Sequence, residues 1–176
     1  MTAELTETAI DNGWGERRSK VVEWHDPAPT TERGLSMAGV DYLNAMIDGT
    51  LPPPPISGLM EFALVSATPG KVVFTCRPDE SAYNPIGAIH GGLVCTLLDS
   101  VAGCALHSTL PQGKGYTSIE IKVNYLKAVR LGSGQLTATG TVIKSGSRVG
   151  FTEGVVTDAS GAVVATATST LLVFDL

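Results

Sequence analysis

The stretch NPIGAIHGGLVCTLLDSVAGCALH, residues 84–107, limits the possible folds of this chain more than any other. Leu93, Leu97, Val101 and Ala105 recur every four residues, with Val94, Leu98 and Ala102 beside them. Apolar positions at that spacing form a stripe wide enough to lie flat on a sheet, so a long helix with one covered side is predicted. Thr96, Asp99, Ser100, Gly103 and His107 fall on the other side. A carboxylate halfway along a helix of this kind needs a reason, and the rest of the chain supplies candidates.

The segments around the helix read as strands. Met60 to Ala67 and Lys71 to Arg77 flank TPG and form a hairpin, and four further segments, about 117–128, 134–145, 148–158 and 162–173, are rich in Val, Ile, Thr and Phe. The separators LGSG, SGS and ASGA are turns, and links this short favour antiparallel neighbours. The fold class is therefore α+β, an antiparallel sheet curled around one central helix. Ahead of the sheet, residues 1 to about 35 mix charge, Gly, Pro and Thr without a period and are expected to form a loosely packed arm. Val40, Leu43, Met46 and Ile47 predict a short amphipathic helix over 37–48, capped by Ser36 and stopped by Gly49, and Pro52 to Pro55 a stiff extended connector. This gives an N-terminal arm with a short helix, 1–50, and a main domain, 51–176.

A chain of 176 residues can bury a genuine core and needs no disulfide scaffold. Cys76, Cys95 and Cys104 sit inside apolar segments and read as reduced core residues of an intracellular protein. The net charge of −5, without a basic run, argues against nucleic acid as a partner. The N-terminus MTAELTETAIDNGWGERR lacks the apolar stretch of a secretory signal, and Ala162 to Phe174 is too short and Thr-rich to span a membrane. A cytoplasmic location is expected.

Ile89-His90-Gly91-Gly92 opens the helix. First-turn N–H groups have no intrahelical partner, glycine admits close approach, and the macrodipole adds about half a positive charge. An N–H of Gly91 or Gly92 could thus polarise a carbonyl and stabilise an oxyanion. Asp99 lies eight residues beyond Gly91, which is about 12 Å along the axis and about 80° around it. One carbonyl cannot touch both, so if both act on one substrate, Asp99 comes from an antiparallel helix of a second copy and a homodimer is required. Asn84, held extended by Pro85, either donates its amide to the substrate or forms a turn. His90 has no acid nearby in sequence and reads more readily as structural than as a base. There is no nucleophile elbow, Walker loop, metal-ligand spacing or dinucleotide fingerprint, so neither metal nor cofactor is expected.

With these residues in hand, NPIGAIHGGLVCTLLDSVAG, YTSIEIKVNYLKAV and KSGSRVGFTEGVVTD, in that order, resemble the PaaI-type hotdog-fold acyl-CoA thioesterases over roughly 56–174. The resemblance implies a helix wrapped by an antiparallel sheet, dimers that usually pair into tetramers, and hydrolysis of a CoA thioester. It also implies that Asn84 and Gly91 polarise the thioester carbonyl. Asp99 then acts as nucleophile or general base, and Ser118 orients the attacking water. His90 and Gly92 contact substrate, and Lys144, Ser145, Gly146 and Arg148 lie near the CoA phosphates. Many members carry two consecutive arginines where this chain has Ser147-Arg148. A non-catalytic acyl-CoA-sensing domain on the same fold is the alternative; a hydratase would need an acid paired with His90, which Asn84 does not supply. Aromatic and medium-chain acyl groups both suit a pocket of Leu, Val, Met and Ala. Trp14, Trp24 and the 37–48 helix lie outside the match and cover either an acyl pocket or a subunit interface.

Overall fold

The computed structural model describes residues 13–176; residues 1–12, most of the N-terminal stretch expected to lack a secretory signal, lie outside the described residues. Three short helices, α1 (Pro27–Gly34), α2 (Gly39–Ile47) and α3 (Pro55–Met60), precede the hairpin β1 (Phe62–Thr68) and β2 (Lys71–Cys76). The long helix α4 (Gly91–His107) follows, then β3 (Lys114–Tyr125), β4 (Leu136–Ser145), β5 (Val149–Thr157) and β6 (Val163–Asp175). The six strands form one antiparallel sheet in the order β1-β2-β4-β5-β6-β3. Helix α4 carries the chain from β2 to the far edge, so β3 ends the sheet and β4 returns to pair with β2.

The helix lies on the sheet as its stripe requires. Leu97, Leu98, Val101 and Ala105 are fully buried and packed with Val72, Leu136, Ala138 and Val156 from the strands, while the equally buried Leu106 packs with Leu110, Leu171 and Val173. Removing any of these leucine side chains leaves a hole worth about 2–5 kcal/mol. Close approach is possible because Gly140 and Gly154 stand opposite one another on β4 and β5. A Cβ on Gly140 would come within 2.2 Å of the Val101 carbonyl oxygen, and one on Gly154 within 3.0 Å of Leu98. Two facing glycines thus form a notch for the middle of α4.

The N-terminal region differs from expectation in three places. Residues 27–34 are helical rather than irregular: Asp26 accepts the Ala28 N–H at 3.0 Å, and Pro27 takes the first helical position, which needs no N–H. Ser36 therefore serves the end of α1, its hydroxyl donating to the Arg33 carbonyl at 2.8 Å. Helix α2 accordingly starts at Gly39 after Ala38, with no side-chain cap. Pro55 likewise opens α3 instead of ending an extended connector, and Met60 closes that helix rather than starting β1. The arm is tied down as well: Lys20 bridges Glu61 and Asp79, both at 3.2 Å, and Arg18 meets Glu80 at 3.0 Å. Leu43 of α2, 2% exposed, belongs to the main core. No helix among the described residues is long and apolar enough to cross a membrane.

Candidate active site

The start of α4 is built from backbone bonds. His90 is its N-cap, and the imidazole Nδ1 accepts the Gly92 N–H at 2.8 Å while the His90 carbonyl accepts the Leu93 N–H at 3.0 Å. The His90 N–H in turn donates to the Ala82 carbonyl at 2.7 Å. Two of the orphan donors expected at a helix start are therefore satisfied, whereas the Gly91 N–H finds no acceptor among the described residues. Between the two glycines proposed as oxyanion donors, the cap leaves Gly91. The Tyr125 hydroxyl donates to the Gly91 carbonyl at 3.0 Å, and a Cβ on Gly91 would meet that ring at 3.2 Å. Tyr125 escaped the sequence reading because nothing in a strand end signals contact with a helix start 34 residues away.

Asn84 forms the turn that one of its two readings requires. Its Oδ1 accepts the N–H groups of Ile86 and Ala88, each at 3.1 Å, and its own N–H donates to the Ala88 carbonyl at 2.8 Å. Gly87, at φ 74°, allows the chain to turn back. With the amide oxygen committed to the turn, the Nδ2 group is the remaining donor, and it has no acceptor among the described residues. Asn84 and Gly91 line one cavity of about 310 Å³, together with Tyr125 and Lys127.

Asp99 and Ser118 form a second group. Both are exposed, and the Ser118 hydroxyl donates to Asp99 Oδ1 at 2.8 Å, joining α4 to β3. The register of β3 against β6 shifts between Ser118 and Glu120, a bulge that leaves Ile119 57% exposed. Asp99 Oδ2 makes no bond among the described residues, so the carboxylate keeps a free lone-pair edge. Neither Asp99 nor Ser118 lines the cavity of Asn84 and Gly91. Along α4 the separation of Gly91 from Asp99 is about 12 Å, so one chain holds two groups apart.

The remaining candidates lie elsewhere. His90 and Gly92 line a different cavity of about 510 Å³, whose rim carries Lys20, Glu61 and Asp79. Lys144, Ser145, Gly146 and Arg148 form the tight β4–β5 turn, closed by the Gly146 N–H donating to the Val149 carbonyl at 3.1 Å. A Cβ on Gly146 would sit 2.5 Å from that oxygen. Lys144 and Arg148 are exposed and form no ion pair among the described residues, so both cations face outward. Cys76, Cys95 and Cys104 are free thiols. Burial pushes Cys76 up to about 11 and Cys104 up to about 12, so these two stay protonated at neutral pH. Among the described residues no group of three or more His, Cys, Asp or Glu side chains converges on a metal position.

Comparison with known proteins accords with this architecture. The family model described as the thioesterase superfamily matches residues 86–165. The smu.793 protein of Streptococcus mutans, solved bound to acetyl CoA, is 30% identical, with a TM-score of 0.60 over 65% of this chain and 89% of its own. The chain belongs to the thioesterase superfamily. Human acyl-coenzyme A thioesterase 13 is similar at 36% identity over 94 residues, covering 53% of this superfamily member and 66% of the human protein. This chain thus spans just under two thirds of that relative. A phenylacetic acid degradation-related protein of Ralstonia eutropha shares the fold, with a TM-score of 0.68 at 23% identity over 74% of this chain and 98% of its own. The fold is the hotdog, a six-stranded antiparallel sheet around one long helix.

Proposed function

We propose that this protein hydrolyses acyl-CoA thioesters to the free acid and CoA, at a site completed by two copies of the chain. The observation that carries the reading is the division of the candidate groups. Asn84 Nδ2 and the Gly91 N–H are unengaged donors in one cavity, whereas the Asp99–Ser118 pair stands about two helical turns away. The two donors hold the thioester carbonyl oxygen and stabilise the charge that develops on it. Asp99 of the second copy, aligned by its own Ser118, either takes a proton from water as that water attacks the carbonyl carbon or attacks it directly. The C–S bond then breaks, the sulfur leaves as CoA thiolate and takes up a proton. In the direct route, water hydrolyses the resulting anhydride. A thioester is a good electrophile, so aligned donors and one carboxylate suffice without metal or cofactor.

The edge strand β3 supports the pairing. It is 12 residues long, has no strand on its outer side among the described residues and carries the outward Ile119. Antiparallel pairing of β3 with its copy would satisfy the open edge and lay the two α4 helices side by side. The reading includes a cytoplasmic location, further pairing of dimers into a tetramer, and contact of Lys144, Ser145, Gly146 and Arg148 with the CoA phosphates. Mixing subunits tests it. Asn84→Asp and Asp99→Asn homodimers should each be nearly inactive, and re-associated mixtures should recover about a quarter of wild-type thiol release, because half the dimers then hold one intact site. No recovery in mixtures shown by mass spectrometry to contain heterodimers would falsify the shared site. Binding of acyl-CoA by the wild type with no thiol release would favour the sensing domain instead.

A further inference from the structure

A cavity of about 460 Å³ lies between α2, β1 and the C-terminal half of α4. Its lining includes Met46 from α2, Ala63 from β1, Cys104 and His107 from α4 and Tyr116 from β3. Tyr116 precedes Ser118 by two residues, so the two side chains share one face of β3. The Tyr116 ring also lies directly over Gly103, where a Cβ would come within 2.6 Å of it, one helical turn beyond Asp99. The Tyr116 wall of the cavity thus lies about one helical turn from Asp99. Its roof is fixed: the Gly39 N–H donates to the Leu110 carbonyl at 3.0 Å, and a Cβ on Gly39 would collide with the His107 carbonyl at 1.9 Å.

We infer that the apolar acyl tail of the substrate lies in this cavity beneath α2, in the same copy of the chain that supplies Asp99, and that the preferred substrates are medium-chain acyl-CoA esters. The inference rests on the thioesterase reading. Among the described residues no carboxylate, lysine or arginine lines the cavity, whereas the larger cavity beside His90 is ringed by Lys20, Glu61 and Asp79, whose hydration an alkyl chain would have to disrupt. Burial keeps His107, on the wall, more readily neutral than an exposed imidazole. From Asp99 to His107 the helix rises about 12 Å, which an extended chain of roughly ten carbons covers. Met46 offers a flexible wall for such a chain.

The test is the ratio of kcat/KM for decanoyl-CoA to that for acetyl-CoA. Ala63→Trp, which fills the cavity from β1, should lower that ratio at least tenfold. Met46→Ala, which enlarges it from α2, should shift the optimum towards longer chains. A ratio within twofold of wild type in both variants overturns the inference, as does a fall produced instead by Ala82→Trp in the cavity beside His90. Calorimetry in the Asp99→Asn background separates this inference from the thioesterase reading. There Ala63→Trp should weaken decanoyl-CoA binding at least tenfold more than acetyl-CoA binding, whether or not the wild type releases thiol. Equal weakening of both ligands excludes the cavity.

Discussion

The start of α4 and its middle are made in opposite ways. From Asn84 to Leu93, position is set by a web of short bonds: the Asn84 turn, the His90 cap and the Tyr125 brace. At Asp99 one bond among the described residues, from Ser118 on another element, holds the carboxylate, and both residues are exposed. The first region offers a donor that is aimed because the backbone cannot move. The second offers a charge whose surroundings, in one chain, are solvent. Under the proposed mechanism, a change at the helix start should disturb structure and chemistry together, whereas a change at Asp99 should remove chemistry alone.

The sharpest way to break this contrast is Asp99→Asn. It should lower kcat/KM for the best acyl-CoA about a thousandfold, with stability within about 0.5 kcal/mol of wild type, as at other exposed sites; a Tm collapse alongside the rate would show that the contrast is false. Asn84→Asp keeps the oxygen that accepts from Ile86 and Ala88 but loses the donor. It should cost about a hundredfold in kcat with a small change in Tm, and Asn84→Ala should add about 1–2 kcal/mol of instability from the lost turn bonds. Ser118→Ala should slow turnover about tenfold, with Ser118→Thr restoring most of it; stopped-flow thiol release would compare them. His90→Ala should destabilise by about 1 kcal/mol through loss of the cap, and His90→Asn, another short acceptor at the N-cap, should regain most of that in denaturant titrations.

Asp158 provides a control away from the Asp99–Ser118 pair and from the cavity beneath α2. Its side chain accepts from Lys127 at 2.6 Å and from Ser160 at 2.6 Å in the β5–β6 turn. Lys127 first, then Ser160, holds its carboxyl below the ordinary value of 3.8. A depressed carboxylate stabilises the fold above its unfolded value, and that contribution is lost as pH falls through the folded one. Asp158→Asn should therefore lower Tm at pH 7, change it little at strongly acidic pH, and leave the decanoyl-to-acetyl ratio untouched.

What could be read from residues alone follows their periods. The step of four along Leu93 to Ala105 gave α4 and its covered face, and alternation gave six strands with ends off by a few residues. Helices α1 and α3, of eight and six residues, depart from the sequence reading because a segment that short shows no apolar period. Their cap and proline signals, Asp26-Pro27 and Pro54-Pro55, were present. Among the candidate residues, the separation of Gly91 from Asp99 needed only helix geometry. The choice of Gly91 over Gly92 needed the His90 imidazole placed to within a hydrogen bond.

The class of fold, the long helix and the separation that keeps Gly91 and Asp99 of one chain from serving one carbonyl all follow from the order of residues, because helical rise and turn are properties of the backbone that no packing alters. Long-range packing is what brings Ser118 to Asp99, sets Tyr125 against the helix start and lays α2 over a cavity behind Tyr116 that no charged side chain among the described residues lines. Those contacts join residues 19, 34 and more positions apart. They depend on which strand lies at which edge, on a bulge at Ile119 and on glycines at 39, 103 and 140 that let elements approach more closely than any side chain would permit.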